Sequence, residues 1–519
     1  MNTASFLAHH GLTENPFNAE EARHDPVFAR LSESSTTHPD FHKILGRIDS
    51  PSTSIVFGEK GSGKTAIRLL IGKKVAEHNA AYPDSRTLLI PYDDLNPMLD
   101  RLQRHHAPGG SAQDVLQRVR LSDHQDAILS LATTRLVDAL LGEAAEGGEP
   151  MPLPDALAKR IKKMPRRVRA DLLLLAALYD QPPSGALAPR WRSLAKALRL
   201  GTAHGMGTLK FTGIALTAIA LGTLVAHFLV DQQSRWALHL MLALTVAGAL
   251  AAWGAWAWQH VRLWRIGRRV RREMPAIERS VPELRAMLGG IRTRDREHAA
   301  LPGLAASKDA ASLANSEVRY QLTRRLLDVL GAFGYRGVIV LVDRVDEPTL
   351  ISGHPDRMRP VVWPILDNKF LQQDHVGVIL LLPIELRYLV QRESSEFYQH
   401  ARLDKQSMID RLSWSGATLY DLCTARLRAC RSTSAGGESP LGLTDLFEPE
   451  VTREMLIDAL DQMHQPRDAF KFLYAVIQEH CRTVPEDQPQ WRIPRLTLEG
   501  VRRGQSQRVQ ELFRGLAPA

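Results

Sequence analysis

Cysteine is scarce in this sequence. The 519 residues include three cysteines, Cys423, Cys430 and Cys481, all near the carboxyl-terminal end and without CxxC spacing. An odd number with no such spacing argues against a disulfide framework and against a zinc site built from cysteines. We therefore expect three reduced thiols.

The amino-terminal residues predict no secretory signal, and the composition shows no strong charge imbalance. A signal peptide has a basic segment followed by an apolar run. The first residues, MNTASFLAHHGLTENPF, do not show this pattern. Lys and Arg number 66 against 57 Asp and Glu, and the net charge of +9 is compatible with nucleic acid or with an anionic membrane surface. The composition, 44% hydrophobic and 24% charged, is that of a globular protein with room for about two to four domains.

Charged side chains are absent from two long stretches. FTGIALTAIALGTLVAHFLV occupies residues 211–230, and WALHLMLALTVAGALAAWGAWAW occupies residues 236–258. A helix needs about 20 mostly apolar residues to cross the hydrocarbon core of a bilayer, so both are long enough. The alternative, a pair of buried core helices, would need an unusually large apolar core around two stretches joined only by DQQSR. The pattern predicts a two-helix transmembrane hairpin in contact with membrane lipid.

Basic residues flank this hairpin on both sides. They are Arg190, Arg192, Lys196, Arg199 and Lys210 before it, and Arg262, Arg265, Arg268, Arg269, Arg271 and Arg272 after it. The positive-inside rule therefore places the amino and carboxyl termini in the cytoplasm and residues 231–235 outside, as expected in a bacterial-type inner membrane. This topology explains part of the basic excess, so nucleic acid is not indicated. On the second helix, Ala247, Gly248, Ala251 and Gly254 are small enough to allow close packing on the first.

One eight-residue segment matches the pattern GxxxxGK(S/T) in full. Its residues are Gly58, Glu59, Lys60, Gly61, Ser62, Gly63, Lys64 and Thr65. An apolar strand is predicted before it, at Ser54–Phe57, and a helix after it, at Ala66–Val75. The glycines allow backbone N–H groups to face a phosphate chain, and the helix N-terminus adds its positive dipole.

Chance matches of this pattern exist in unrelated loops, and the flanking strand and helix argue against that reading here. In a true phosphate-binding loop Lys64 reaches the β- and γ-phosphates of ATP, and the Thr65 hydroxyl ligates Mg²⁺.

A second acidic motif follows much later in the chain. Residues 338–342, VIVLV, are a continuous apolar run that ends at Asp343, as expected for a central parallel strand. Asp343 is the predicted carboxylate on the metal side of the site. Asp346 and Glu347 are both candidates to orient the attacking water, and the sequence leaves the choice between them open. Taken alone, the segment could equally be an ordinary strand that ends in a solvated acidic turn.

Two further strands complete a predicted core. Residues 86–92, RTLLIPY, indicate the second strand, and residues 376–382, VGVILLL, indicate the strand after the second motif. Alternating strands and helices predict an α/β fold, a parallel sheet with helices on both faces that binds its ligand at the carboxyl ends of the strands. Pro383 occupies the position where many AAA+ proteins place a polar sensor.

The carboxyl-terminal part resembles the helical lid of AAA+ and KAP-like NTPases. Pro466 and Arg467 stand before the helical stretch AFKFLYAVIQ and are similar to the Pro-Arg pair whose arginine senses the γ-phosphate in those proteins. A surface arginine is an equally good interpretation of a motif this short. Arg402 and Arg411 are candidates for a finger arginine that acts across a subunit boundary. Most arginines, however, are solvated or pair with nearby acids.

The order of these features resembles the KAP family of P-loop NTPases, in the STAND and AAA+ neighbourhood. The D-R-V-D-E sequence at 343–347 resembles the hhhhDxhDE form of the second motif in STAND-type and related NTPases. Arg344 stands where a glutamate usually follows the first acid in AAA+ ATPases. The resemblance covers roughly residues 40–95 and 315–480, and the hairpin matches in placement only. It implies ATP and Mg²⁺ as cofactors, a homo-oligomer, and a nucleotide-controlled switch in signalling or defence with an unknown protein effector.

Alternatives to this function remain open. Arg344 and Pro383 favour a membrane scaffold that binds nucleotide with little or no hydrolysis, whereas the Asp346–Glu347 pair favours an ATPase. No base-reading motif separates ATP from GTP, and nothing in the residues names the trigger. The predicted division is residues 1–145 and 316–435 for the two halves of the NTPase core, 146–315 for the hairpin-bearing insert, and 436–519 for the lid and a basic arm.

Overall fold

A computed structural model describes residues 1–18, 22–31, 37–106, 111–143, 150–182, 187–201, 205–229, 235–292, 313–432 and 441–513. Residues 231–234 of the predicted external turn at 231–235 lie outside the described residues. So do the domain boundaries predicted after residues 145 and 435.

Helices make up most of the described chain. They are α1 Thr3–His9, α2 Pro26–Arg30, α3 Phe41–Leu45, α4 Lys64–Ala81, α5 Asn96–His106, α6 Ala112–Leu116, α7 Leu121–Leu141, α8 Leu157–Lys163, α9 Arg166–Tyr179, α10 Leu187–Ala197, α11 Gly205–Leu229, α12 Arg235–Glu273, α13 Val281–Gly290, α14 Leu313–Ala332, α15 Pro355–Val362, α16 Asn368–Leu371, α17 Ile384–Gln391, α18 Ser395–Ala401, α19 Gly416–Ala429, α20 Arg453–Asp461, α21 Pro466–Thr483 and α22 Arg495–Phe513. The strands are β1 Ser54–Gly58, β2 Arg86–Tyr92, β3 Tyr335–Val342, β4 Val376–Pro383 and β5 Ser407–Ile409.

The five strands form one parallel sheet in the order β2-β3-β4-β1-β5. Strand β1 pairs with β4 from Ser54 opposite Ile379 to Gly58 opposite Pro383. Every residue of β1 and β4 is buried, which is why both segments read as continuous apolar runs. The α/β class and the parallel sheet are therefore confirmed. Strand β5 was missed because three residues are too few for a pattern to stand out.

The chain divides into two compact units. The first contains residues 1–78, 341–347 and 371–519. Helices α1, α19, α20, α21 and α22 contribute to its apolar core, which includes Phe6, Leu419 and Phe472. All three cysteines are buried in this core, and burial raises the pKa of the Cys423 thiol to about 12. Such a thiol is protonated and unreactive at neutral pH.

The second unit contains residues 79–340 and 348–370. Helices α7, α9 and α14 pack together within it, and it includes α11 and α12. These last two helices are long and apolar enough to cross a membrane, over residues 207–227 and 236–273. Only 17% of the apolar window of each is buried, which argues against the buried core helices considered as the alternative.

Helices α11 and α12 pack on each other through a different set of small residues from the one predicted. Gly248 faces Leu216, since a Cβ on Gly248 would lie 3.2 Å from Leu216 Cδ1. Ala249 and Ala252 are buried, whereas Ala247, Ala251 and Gly254 are exposed. The predicted interface was therefore wrong at three of its four positions. The composition indicates that small residues are present, but not which side of the helix faces its partner.

A buried ion pair ties the end of α12 to the helices around it. Arg319 on α14 donates from Nε and Nη2 to the Asp126 carboxylate at 3.0 and 2.9 Å, and from Nη2 to the Glu273 carbonyl at 2.7 Å. The Tyr179 hydroxyl also donates to Asp126, at 2.9 Å. The Arg319 and Asp126 side chains are at most 2% exposed.

Replacing Arg319 by methionine should strongly destabilise the second unit. The substitution leaves the Asp126 carboxylate buried without its guanidinium, which costs about 3–5 kcal/mol for pairs of this kind. For a unit of this size the expected fall in melting temperature is roughly 5–15 °C. Thermal melting of the full chain, compared with Arg324→Met at an exposed site on the same helix, checks this. Equal melting temperatures for the two variants would contradict it.

Histidine 124 is buried with both ring nitrogens bonded. Its Nε2 donates to the Val361 carbonyl at 2.9 Å, and its Nδ1 accepts from the Tyr92 hydroxyl at 2.9 Å. This arrangement fixes the neutral ring, and burial lowers the pKa of His124 to about 4. Between pH 6.5 and about 4 the unfolded chain therefore binds a proton at this residue that the folded chain does not.

Stability should consequently decrease as the pH falls through that window. The His124 contribution amounts to about 3 kcal/mol over the window, at about 1.36 kcal/mol per pKa unit. In His124→Gln the decrease in melting temperature from pH 7 to pH 4.5 should be smaller than in the wild type. His354→Gln, at an exposed histidine, should keep the wild-type decrease. An unchanged pH dependence in His124→Gln would show that the ring is not held neutral.

Candidate functional site

The segment Gly58–Thr65, here called the glycine loop, connects β1 to α4. The predicted strand and helix on its two sides are confirmed, and α4 begins at Lys64 itself. Gly61 and Gly63 have φ angles of +99° and +95°, in a region that favours glycine. A Cβ on Gly61 would lie 2.9 Å from Gln465 Oε1. Both backbone conformation and space therefore require glycine there.

Lysine 64 is turned toward its own loop. Its ammonium group donates to the carbonyl oxygens of Gly58 at 2.7 Å and Glu59 at 2.9 Å. Burial lowers the pKa of Lys64, while the charges of Asp343, Asp346 and Glu385 act in the opposite direction. The carboxylates of the second motif thus act electrostatically on the lysine of the first, although more than half of the chain separates them.

Aspartate 343 follows β3 directly and is buried. Its Oδ2 lies 3.4 Å from Arg68 Nε, with both side chains under 10% exposed. This is an ion-pair distance, but Oδ2 accepts no hydrogen bond from the described residues. Burial raises the pKa of the Asp343 carboxyl, and Arg68 opposes that shift. Arg68 stands one helical turn after Lys64, on the same side of α4.

The two candidate acids of the second motif have different surroundings. Glu347 is exposed, its carboxylate lies 3.3 Å from Arg344 Nη1, and its N–H donates to the Arg344 carbonyl at 3.2 Å. Asp346 is half-buried, and its charge acts on Lys64. Arg344 has a φ of +57°, which is uncommon for a residue with a side chain and recurs at functional sites. Glu347 is therefore paired with Arg344, whereas the charge of Asp346 acts on Lys64.

Arginine 467 lies against the glycine loop at the start of α21. A Cβ on Gly61 would be 3.1 Å from Arg467 Cβ and 3.3 Å from its Cδ. Its Nε–H is buried and has no hydrogen-bond acceptor among the described residues. A buried guanidinium donor without an acceptor is costly. The side chain is therefore placed to bind an anion at the loop, unlike an arginine on the open surface.

The two arginines predicted as finger candidates lie in different settings. Arg411 Nη2 is 2.6 Å from Glu59 Oε1, and the Gln465 amide also donates to the Glu59 carboxylate. Arg411 thus contacts the glycine loop of its own chain. Arg402 is paired with Asp404 at 3.3 Å on the surface. A role for either across a subunit boundary stays a prediction.

Three further residues at the site were missed. Trp414 Nε1 donates to the Ser62 carbonyl at 2.8 Å, Arg68 faces Asp343, and the Glu385 charge acts on Lys64. Only Arg68 carried a usable signal, its spacing of four residues from Lys64 on one helix. Trp414 and Glu385 belong to segments brought to the loop by the fold, and no motif marks them.

The residues predicted for a divalent cation are Thr65 and Asp343. The described residues contain no cluster of three or more His, Cys, Asp or Glu side chains suited to hold a metal by themselves. Asp343 nevertheless fits the smaller role expected of it, because its buried Oδ2 has an acceptor position that no described donor fills. Mg²⁺ sites often use one or two protein ligands together with substrate phosphates and water.

Comparison of the chain with protein-family models, with curated proteins and with solved structures gave no match.

Proposed function

We propose that the chain is a membrane-anchored ATP-binding protein and an ATPase that acts as a nucleotide-controlled switch. The observation that carries the proposal is a strand–loop–helix turn with Gly61 and Gly63 at positive φ. Arg467 lies against this loop, and the charge of the buried Asp343 acts on its Lys64. These are the residue types that an ATP triphosphate and its cation require.

Each residue has a role in this proposal. The N–H groups of the glycine loop and the positive end of α4 bind the phosphates, and Lys64 exchanges its loop carbonyls for the β- and γ-phosphate oxygens. Thr65 and Asp343 would hold Mg²⁺, which supplies positive charge for the transferred phosphoryl group. Asp346 orients the attacking water, because Glu347 is occupied by Arg344. The unfilled Nε–H of Arg467 donates to the γ-phosphate.

The membrane part of the proposal rests on α11 and α12. Their length and their exposed apolar side chains, such as Phe211 and Leu250 at 73% and 69% exposure, fit a hairpin surrounded by lipid. With arginines after the hairpin on the cytoplasmic side, both arms lie in the cytoplasm of a cell with a bacterial-type inner membrane. ATP occupancy then changes homo-oligomer formation or the binding of a protein effector.

A second candidate function is a membrane scaffold that binds nucleotide without turnover. The ion pair between Arg344 and Glu347 favours it, since that pair neutralises one of the two acids able to activate water. Pro383, opposite Gly58 in the sheet, also offers no polar side chain to the phosphates.

Phosphate release by the full chain in nanodiscs separates these two functions. The wild type should hydrolyse ATP, Asp346→Asn should lose most of this activity, and Glu347→Gln should retain most of it. ATP binding without turnover in the wild type would favour the scaffold.

In liposomes, the oligomer mass should change when a non-hydrolysable ATP analogue is added, and an equal mass with and without the analogue would contradict the switch.

A further inference from the structure

A strongly basic cavity lies at the carboxyl-terminal end of α12, within the second unit. Its volume is about 290 Å³, and its lining includes His105, Glu278 and four arginines, Arg101, Arg104, Arg271 and Arg279. The cavity is therefore formed by the end of α5, the end of α12 and the segment that leads to α13.

The arginines around this cavity are only partly neutralised. Arg104 Nη2 is 3.2 Å from Glu278 Oε2, and both side chains are more than 60% exposed. Arg279 is fixed by backbone carbonyls, donating to Ala177 and Glu278 at 3.2 and 3.1 Å and also to Asp180. Arg101 donates to the Ala276 carbonyl at 3.3 Å.

The guanidinium of the fourth arginine, Arg271, has no hydrogen bond or ion pair to the residues that the structure describes. Burial lowers the pKa of Arg101 and lowers that of Arg279 to about 10. The charge of Arg104 also lowers the pKa of Arg101, and the charge of Arg101 lowers that of Arg279. The four guanidinium groups carry like charges that face a common space. Glu278 in the lining and Glu283 nearby offset part of this charge.

An anion in the cavity would relieve the remaining repulsion. The first turn of α13 adds to the attraction, because Ser280 lines the cavity and caps this ten-residue helix at its positive end. Several guanidinium groups suit an anion that has many oxygen atoms, and phosphate accepts such groups in paired hydrogen bonds.

The position of the cavity argues against a lipid headgroup, and this step, like the role in the switch below, rests on the proposed function. The apolar part of α12 ends at Trp258, and Arg271 follows 13 residues later (271 − 258) on the same continuous helix. At 1.5 Å per residue this is about 20 Å. The headgroup layer extends only about 5–8 Å beyond the hydrocarbon core on each side.

We propose that this cavity binds a soluble ligand that carries a phosphate or pyrophosphate group. Such a ligand joins α5 to the end of α12, where Arg319 and Arg101 already hold the Glu273 and Ala276 carbonyls. Its binding stabilises the junction between the hairpin and the helices of the second unit, which gives the switch a second, non-hydrolytic input.

Inorganic pyrophosphate is the probe for this site, measured by titration calorimetry on the full chain in phosphatidylcholine nanodiscs at 0.15 M salt. All variants carry Lys64→Ala, which weakens phosphate binding at the glycine loop. Pyrophosphate should bind saturably to Lys64→Ala. Adding Arg104→Gln and Arg271→Gln should weaken binding at least about tenfold, since each charge-assisted hydrogen bond is worth roughly that factor or more. Adding Arg272→Gln, at an exposed arginine next to the cavity, should leave the affinity unchanged.

Absence of saturable binding in Lys64→Ala, or equal affinity in the Arg104/Arg271 variant, would overturn the site. Unliganded melting temperatures verify that the variants are folded. Replacing phosphatidylcholine by phosphatidylglycerol tests the source of the phosphate. The affinity should not change, because a cavity about 20 Å beyond the hydrocarbon core lies roughly 12–15 Å outside the headgroup layer, and this distance exceeds the Debye length of about 8 Å. A tenfold loss in phosphatidylglycerol would show that lipid headgroups occupy the site. The pyrophosphate titration does not depend on ATP turnover. Its result can therefore be interpreted even if the protein proves not to be an ATPase.

Discussion

ATP turnover by the Lys64→Ala variant is expected to be at least about 100-fold below that of the wild type. Removing a preorganised positive group that stabilises the charge developing in a transition state commonly lowers the rate by a factor of this size or more. Lys64 is held at the glycine loop by two carbonyl oxygens and acts electrostatically with Asp343 and Asp346. Phosphate release by the full chain in nanodiscs, under saturating MgATP, measures the effect.

Lys73→Ala is the matched control for this prediction. Lys73 is exposed on the same helix, more than two turns beyond Lys64, so its removal tests loss of a nearby surface charge. Its turnover should stay within about twofold of the wild type, because a surface substitution of this kind changes little. If Lys64→Ala melts normally and keeps wild-type turnover, the glycine loop is not the catalytic phosphate site.

The second large effect is expected for Arg467→Ala, with a fall in turnover of about 100- to 1,000-fold. The reason is the buried Nε–H that has no acceptor in the described structure and lies beside Gly61. Because this donor is proposed to bind the γ-phosphate, affinity for ADP should change much less than affinity for a non-hydrolysable ATP analogue. A purely structural role of Arg467 would affect both nucleotides alike.

Arg482→Ala provides the control on the same helix. Arg482 is 77% exposed and pairs with Glu479, a surface pair whose loss costs little. Arg467→Lys should restore only part of the activity, because an ammonium group lacks the planar fork of donors. Equal turnover in Arg467→Ala and Arg482→Ala would place Arg467 outside the reaction.

Several features of the fold and the candidate site could be predicted from the sequence because they are local. Strand β1, the glycine loop and the start of α4 follow from an apolar run, a glycine pattern and a helical stretch that are adjacent in the chain. Asp343 could be predicted because a buried strand and its terminal acid are also adjacent. The same unit contains residues 1–78 and 341–347, so the two motifs belong together despite their distance in sequence.

Other features depend on tertiary contacts that no local pattern encodes. The hydrogen bond from Trp414 to Ser62 spans 352 positions, and the one from Gln465 to Glu59 spans 406. Helix α12 continues to Glu273, past the apolar stretch that ends at Trp258, because arginine and leucine are among the best helix formers after alanine. The face of α12 that contacts α11 also depends on the rotation of one helix against the other, which composition does not determine.

Equilibrium binding of ATP by the full chain in nanodiscs, with and without Mg²⁺, tests the combined site most directly. The wild type should bind ATP, and Mg²⁺ should strengthen binding. Asp343→Asn should retain Mg²⁺-free binding and lose the Mg²⁺ effect, since the carboxylate proposed to hold the cation is gone. Lys64→Ala should weaken binding in both conditions. No saturable binding by the wild type, or a full Mg²⁺ effect in Asp343→Asn, would contradict a site built from the glycine loop and Asp343.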